Sequence, residues 1–275
     1  MRTLAGKTLL ISGASRGVGL AIALRAARDG ANICLLAKTA RPDPRLDGTI
    51  YTAAEAIAAA GGQALPVVGD VRNDADVQRA ARECVERFGG IDVCVNNASA
   101  INLAGTLELE MKGYDLMADI NVRGSFLLTK TCLPHLLESS NPHVLMLSPP
   151  LNFDRRWFRE HVANTVAKYS MSMWVIGMAE EFRDRGVAFN ALWPRTYVAT
   201  VAVRNVLGGD EALARSRRPE IMGDAARAIL VRGSRECTGN LFIDDDVLRS
   251  EGVTDFAQYR YGEAREEDLL PDFFV

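Results

Sequence analysis

Short apolar runs recur along the chain at intervals that leave room for one helix between each pair. They fall at residues 7–11, 32–37, 64–68, 91–95, 143–147, 187–192 and 240–243. Their length, and the Gly, Pro, Asn and Asp residues around them, suit strands buried on both faces. Strand and helix alternating in this way predict an α/β fold with one doubly wound, Rossmann-like parallel sheet and helices on both faces. No linker, repeat or low-complexity tract divides the sequence, so residues 1–275 read as one domain.

The first run leads into Ser12-Gly13-Ala14-Ser15-Arg16-Gly17-Val18-Gly19, a glycine-rich turn opening onto a helix that runs to about Asp29. Glycine lets a backbone approach a pyrophosphate closely, and the helix N-terminus offers N–H groups and partial positive charge to an anion. Taken alone, such a turn is equally a tight strand-to-helix connection. Ligands of these sheets bind beyond the carboxyl ends of the strands. Those ends present Gly13, Ser15, Arg16, Gly17, Val18 and Gly19, then Lys38, Asp70-Val71, Asn96-Asn97-Ala98, Ser148 and Pro194-Arg195-Thr196.

Composition removes several function classes. A net charge of −3 with mixed signs offers no basic stripe for nucleic acid and no polybasic membrane patch. No apolar run approaches the roughly 18 residues of a membrane span, and Met1 to Gly6 lead directly into a strand instead of a signal peptide. A cytoplasmic protein with a small-molecule partner is expected. Five cysteines lie in apolar segments without paired ligand spacing, which predicts buried free thiols and no metal. Asp244-Asp245-Asp246 reads as a turn or helix cap.

The joint spacing of the glycine-rich turn, Asn96-Asn97-Ala98, Asn121, Lys168 and Pro194 resembles the short-chain dehydrogenase/reductase family over nearly the whole chain. Residues 37–40, 48–51, 148–152 and 191–196 are closer still to its hydroxysteroid-dehydrogenase-like subgroup, whose animal members append a lipid-carrier domain for which 275 residues leave no room. The resemblance implies a nicotinamide cofactor, hydride exchange with a carbonyl or alcohol, and a homodimer or homotetramer. It further implies that Asp70 faces the adenine and that Asn97 lines the cofactor ribose. Lys168 would grip the nicotinamide ribose, Ser148 would orient substrate, and Asn121 would support a water relay.

NADP(H) is favoured over NAD(H) on charge. An acidic side chain after the second strand would repel the extra ribose phosphate; here that strand ends in Lys38, and Arg16 stands in the glycine turn. Both cations can instead be solvated surface charges. Only five of the 32 basic residues are lysine, so a lysine at 38 and at 168 hints at a need for a compact ammonium.

One position departs from the family pattern. The residue one helical turn before Lys168, where the resemblance implies a proton-exchanging tyrosine, is Asn164. A carboxamide hydrogen-bonds a carbonyl but has no ionisable proton near neutral pH. Losing a positioned general acid removes a factor on the order of 10² to 10⁴, or roughly 3–5 kcal/mol. His161, three residues earlier, and Tyr197, in the loop after Pro194, are the candidate replacements, with a structural histidine as the alternative. Tyr169 is rotated off that face and reads as core or interface. Residues 152–161, with Trp157 and three arginines, are expected to wall the substrate pocket; Met171 to Met178 read as core or as a contact between copies. Two functions stay open: an atypical oxidoreductase, and a cofactor-binding protein without redox turnover.

Overall fold

A computed structural model of the chain describes residues 3–275. Met1 and Arg2, the start of the lead read above as not being a signal peptide, lie outside the described residues. The strands are β1 Thr8–Ser12, β2 Asn32–Ala37, β3 Gln63–Val68, β4 Val93–Asn96, β5 His143–Met146, β6 Ala188–Trp193 and β7 Asn240–Ile243. Between and after them come α1 Gly17–Arg28, α2 Ile50–Ala59, α3 Asp74–Phe88, α4 Met111–Met117, α5 Ser125–Leu136, α6 Arg156–Arg159, α7 Val162–Glu181, α8 Gly209–Ala214, α9 Glu220–Leu230 and α10 Asp244–Ser250.

All seven strands pair in parallel, in the order β3-β2-β1-β4-β5-β6-β7. The expected single, doubly wound sheet is therefore present, with predicted strands displaced by at most two residues. Side-chain alternation divides the core. Leu9, Ile11, Ile33, Leu35, Val93 and Val95 pack on one face with α1 and α9, while Leu10, Cys34, Leu36 and Cys94 pack on the other with residues of α3, α5 and α7. All five cysteines are buried free thiols.

Strand order reverses between β1 and β4, and there the two strand ends are tied together. Ser12 Oγ accepts the N–H groups of Asn97 and Ala98, each at 3.1 Å. The Asn97 amide donates back to the carbonyls of Ser12 at 2.9 Å and Gly13 at 3.0 Å. Gly13 has φ +68°, and a Cβ on it would sit 2.9 Å from Ala98 Cα. Left-handed backbone and absent space both demand glycine. Gly13→Ala is expected to cost roughly 2–3 kcal/mol; urea unfolding of variant and parent measures it, and equal stabilities would refute the close approach.

Candidate functional site

The ends of β1 to β6 open onto one cavity of about 440 Å³. On the β2–β3 side it is lined by Gly13, Ser15, Arg16, Gly17, Val18, Lys38, Asp70 and Val71. On the β5–β6 side it is lined by Asn164, Lys168, Trp193 and Pro194, with Asn97 and Ala98 between. The N-terminus of α1 enters this space after Arg16, whose backbone is extended and whose side chain makes no cap. Its first N–H groups have no intrahelical partner and are of the kind that an anion can use.

Electrostatics vary along the cavity. Arg16 donates to the carbonyls of Asp47 at 3.0 Å and Gly48 at 2.9 Å, and desolvation lowers its pKa. Asp70 is bidentate with Arg72 and lies 3.6 Å from the half-exposed Lys38 ammonium. The Arg72 hydrogen bonds hold the Asp70 carboxyl below its ordinary range.

At the other end Lys168 is buried, donates to the Leu147 carbonyl at 3.1 Å, and stands 5.2 Å from the Trp193 ring centre. Burial pushes its pKa down to about 8, opposed by the charge of Asp272. Asn164 Oδ1 and Ser148 Oγ are buried without a hydrogen-bond partner among the described residues. Unpaired buried polar atoms are costly, and at Asn164, which lines the cavity, a polar ligand atom would relieve the cost.

The short chain dehydrogenase family model matches residues 7–208. The chain belongs to the short-chain dehydrogenase family. Hydroxysteroid dehydrogenase-like protein 2 of Danio rerio is 56% identical over 272 residues, covering 99% of this chain and 64% of that protein. The Homo sapiens protein of the same name is 49% identical over the same shares. This chain thus spans about 64% of the length of these relatives. A short chain dehydrogenase of Mycobacterium thermoresistibile has a TM-score of 0.93 and 52% identity, covering 99% of this chain and 96% of that one.

Several residues singled out in the sequence stand away from the short-chain dehydrogenase cavity. Gly19 packs against Asn97, where a Cβ would come within 2.4 Å of its amide nitrogen. Asn121, in a π-helical turn at residues 118–124, exchanges two 2.9 Å hydrogen bonds with the backbone of Ala100. Thr196 pairs with Pro271 through the backbone. Ser148 is buried behind the cavity wall, of which Leu147 forms part.

The largest departure concerns residues 152–161. Expected to wall the pocket, none of them lines it, and Phe153, Arg155, Arg156 and Arg159 are exposed. The wall is instead Asp272-Phe273-Phe274, for which no role was read from sequence. Trp157, His161 and Tyr197 all turn their rings onto this segment. His161 meets Phe273 at 5.1 Å, Trp157 meets Phe274 at 5.4 Å and Tyr197 meets Phe273 at 6.3 Å. His161 also shares a 3.2 Å hydrogen bond with Thr165, so it is the residue preceding α7 and packs inside the protein. Tyr169 is buried, its hydroxyl donating to the Asn152 carbonyl. The available signal was an aromatic doublet fixed by Pro271 after an acidic, polar stretch.

Two backbone hydrogen bonds and one from an indole strap the segment down: Tyr197 N–H to Leu270 O at 2.8 Å, Asp272 N–H to Arg195 O at 2.9 Å, and Trp193 Nε1–H to Phe273 O at 2.9 Å. The acidic block at the start of α10 fixes Arg195 in turn, with Asp244 accepting its N–H at 2.9 Å and Asp245 its Nε at 2.7 Å. Burial pushes the Asp272 carboxyl up to about 8; the Phe273 amide and Lys168 oppose this and the charge of Asp244 adds to it.

A raised carboxyl means that the folded protein holds a proton that the unfolded chain releases near pH 4. Stability is therefore lost between about pH 4 and pH 8. Lys168, lowered, acts oppositely and only above about pH 8. Asp272→Asn is expected to gain stability relative to the parent from pH 5 to pH 8 in urea unfolding. A stability difference independent of pH would mean that the carboxyl titrates normally.

Proposed function

We propose that the chain is an NADP(H)-dependent oxidoreductase acting on a carbonyl or alcohol, with Asn164 anchoring substrate where the family pattern has a tyrosine. The observation that carries this reading is one cavity joining the glycine turn to Lys168 and the unpartnered Asn164 carboxamide. Gly13, Gly17 and Val18 would hold the dinucleotide phosphates against the N-terminus of α1, and Asn97 and Lys168 its ribose. Bound there, the nicotinamide supplies the hydride donor or acceptor. The chain's residues align the substrate oxygen and exclude water from the Trp193 and Phe274 end.

Arg16 and Lys38 support the preference for NADP(H). β2 ends without a carboxylate, and the neutral carbonyls that hold Arg16 are weaker partners than a phosphate dianion. The second reading, cofactor binding without turnover, is favoured by one observation: the side chain at position 164 cannot ionise. In a fluorescence titration, NADPH is expected to bind about ten-fold or more tightly than NADH, with the difference lost in Lys38→Ala. No response to either dinucleotide would overturn both readings. Asn164→Tyr is expected to raise carbonyl reduction on the order of 10²-fold or more. A parent protein without turnover that gains it in this variant would select the second reading.

A homodimer or homotetramer is part of the proposal. Tyr114, Phe126, Val166, Met173 and Ile176 expose an apolar face across α4, α5 and α7, while Met171, Val175 and Met178 face the core. Grouped exposed apolar side chains fit self-association better than solvent. Sedimentation as a monomer at micromolar concentration would rule it out. No helix among the described residues is long and apolar enough to cross a membrane. Five free thiols suit a reducing compartment, and we place the protein in the cytoplasm.

A further inference from the structure

We infer that Asp272 is the proton-carrying residue of this cavity, exchanging a proton with the substrate oxygen in place of the hydroxyl that Asn164 lacks. This rests on the oxidoreductase reading above. Three observations place Asp272 in that role. Its side chain is buried yet lines the same cavity as Asn164 and Lys168. One carboxyl oxygen accepts the Phe273 N–H at 2.6 Å, which orients the group, and no ion pair closes between it and Lys168 among the described residues. Its backbone is held from both sides: its own N–H is bound to Arg195, and the next residue's carbonyl accepts from Trp193, the residue whose ring faces Lys168.

Phe274 adds a conformational observation. Its φ is +71°, and it is the one non-glycine among the described residues with a positive φ. A bulky side chain tolerates that backbone only when surrounding contacts enforce it. Here Tyr169 at 5.1 Å and Trp157 at 5.4 Å pack against the ring. The aromatic packing that enforces this backbone thus lies two residues from Asp272.

Charge surroundings suit proton exchange. Lys168 on α7, Asp244 at the start of α10 and Tyr197 in the loop after β6 act on Asp272 electrostatically. Burial and the nearby Asp244 carboxylate let the Asp272 carboxyl keep its proton near neutral pH against the opposing Lys168 ammonium, as a general acid must. In the reductive direction the substrate carbonyl carbon accepts a hydride from the dihydronicotinamide. The C=O π bond becomes an O–H bond as the Asp272 O–H bond breaks. The products are an alcohol, the oxidised nicotinamide and an Asp272 carboxylate stabilised by Lys168, which regains its proton from water. Oxidation runs the same transfers backwards.

The test uses the full chain. Difference infrared spectroscopy of the cofactor-free protein at pH 6.5, parent minus Asp272→Asn, is expected to show the carbonyl stretch of a protonated carboxylic acid, absent by pH 9.5. With NADPH and benzaldehyde as probe carbonyl, Asp272→Asn is expected to lower kcat by about 10²-fold or more with KM little changed. The alkaline fall of the parent's kcat should vanish with it, and Asp272→Glu should recover part of the rate. An ionised carboxylate at pH 6.5 would overturn the assignment. So would unchanged kcat in Asp272→Asn, or an alkaline fall that persists there and therefore belongs to Lys168. Loss of NADPH binding in the parent would instead count against the oxidoreductase reading, and the infrared result stands independently of it.

Discussion

The junction between β1 and β4 is the constraint on which the rest of the structure depends. Two strands adjacent in the sheet but far apart in sequence are locked where strand order reverses, through Ser12 Oγ and the Asn97 carboxamide. Because the side-chain amide nitrogen of Asn97 is held by the Ser12 and Gly13 carbonyls, the turn after β1 can approach β4 only if positions 13 and 19 carry no Cβ. That approach aims the N-terminus of α1 along the strand ends and opens the cavity beside it. Unpaired N–H groups at the cavity edge are thus a consequence of how the sheet is closed.

At the far end of the cavity the problem is desolvation. An ammonium as buried as Lys168 is tolerated because a backbone carbonyl and the face of Trp193 replace part of its water. Asn164, one turn earlier on α7, adds a dipole but no charge. The carboxyl that meets the field of Lys168 comes from the opposite end of the sequence, carried by residues 269–275. These residues reach the cavity because Arg195 is held by the acids of α10 and in turn offers its carbonyl to Asp272. Loop, helix start and strap form one unit, so a change in any of them would be felt at the cavity wall.

Legibility in the sequence followed the range of the interactions. Runs such as 32–37 and 240–243 declared their strands because a strand buried on both faces must be apolar throughout. Gly13, Lys38, Asp70 and Asn97 were legible as cavity-lining residues because the residue after a parallel strand lies at the carboxyl edge of the sheet. Thr196 and Asn121 were read by the same rule or by resemblance, yet one pairs with Pro271 and the other clamps Ala100. Local position does not say which of two neighbours a side chain will choose. Residues 152–161 were misplaced for a related reason: aromatic content marks a surface to be buried without naming what buries it.

What the sequence by itself determined is the order of strands and helices, the glycine-rich turn after β1, and the pair of residues on α7 that sets an amide where a phenol is expected. Each depends on spacing within one element, where backbone geometry converts sequence separation directly into direction. The identity of the cavity wall was decided only by tertiary structure. Asp272 lies more than a hundred residues from Lys168, and the two share one cavity because β6, α10 and the strap close around a shared backbone. No periodicity encodes such a meeting; it appears once the sheet has brought its carboxyl edge together.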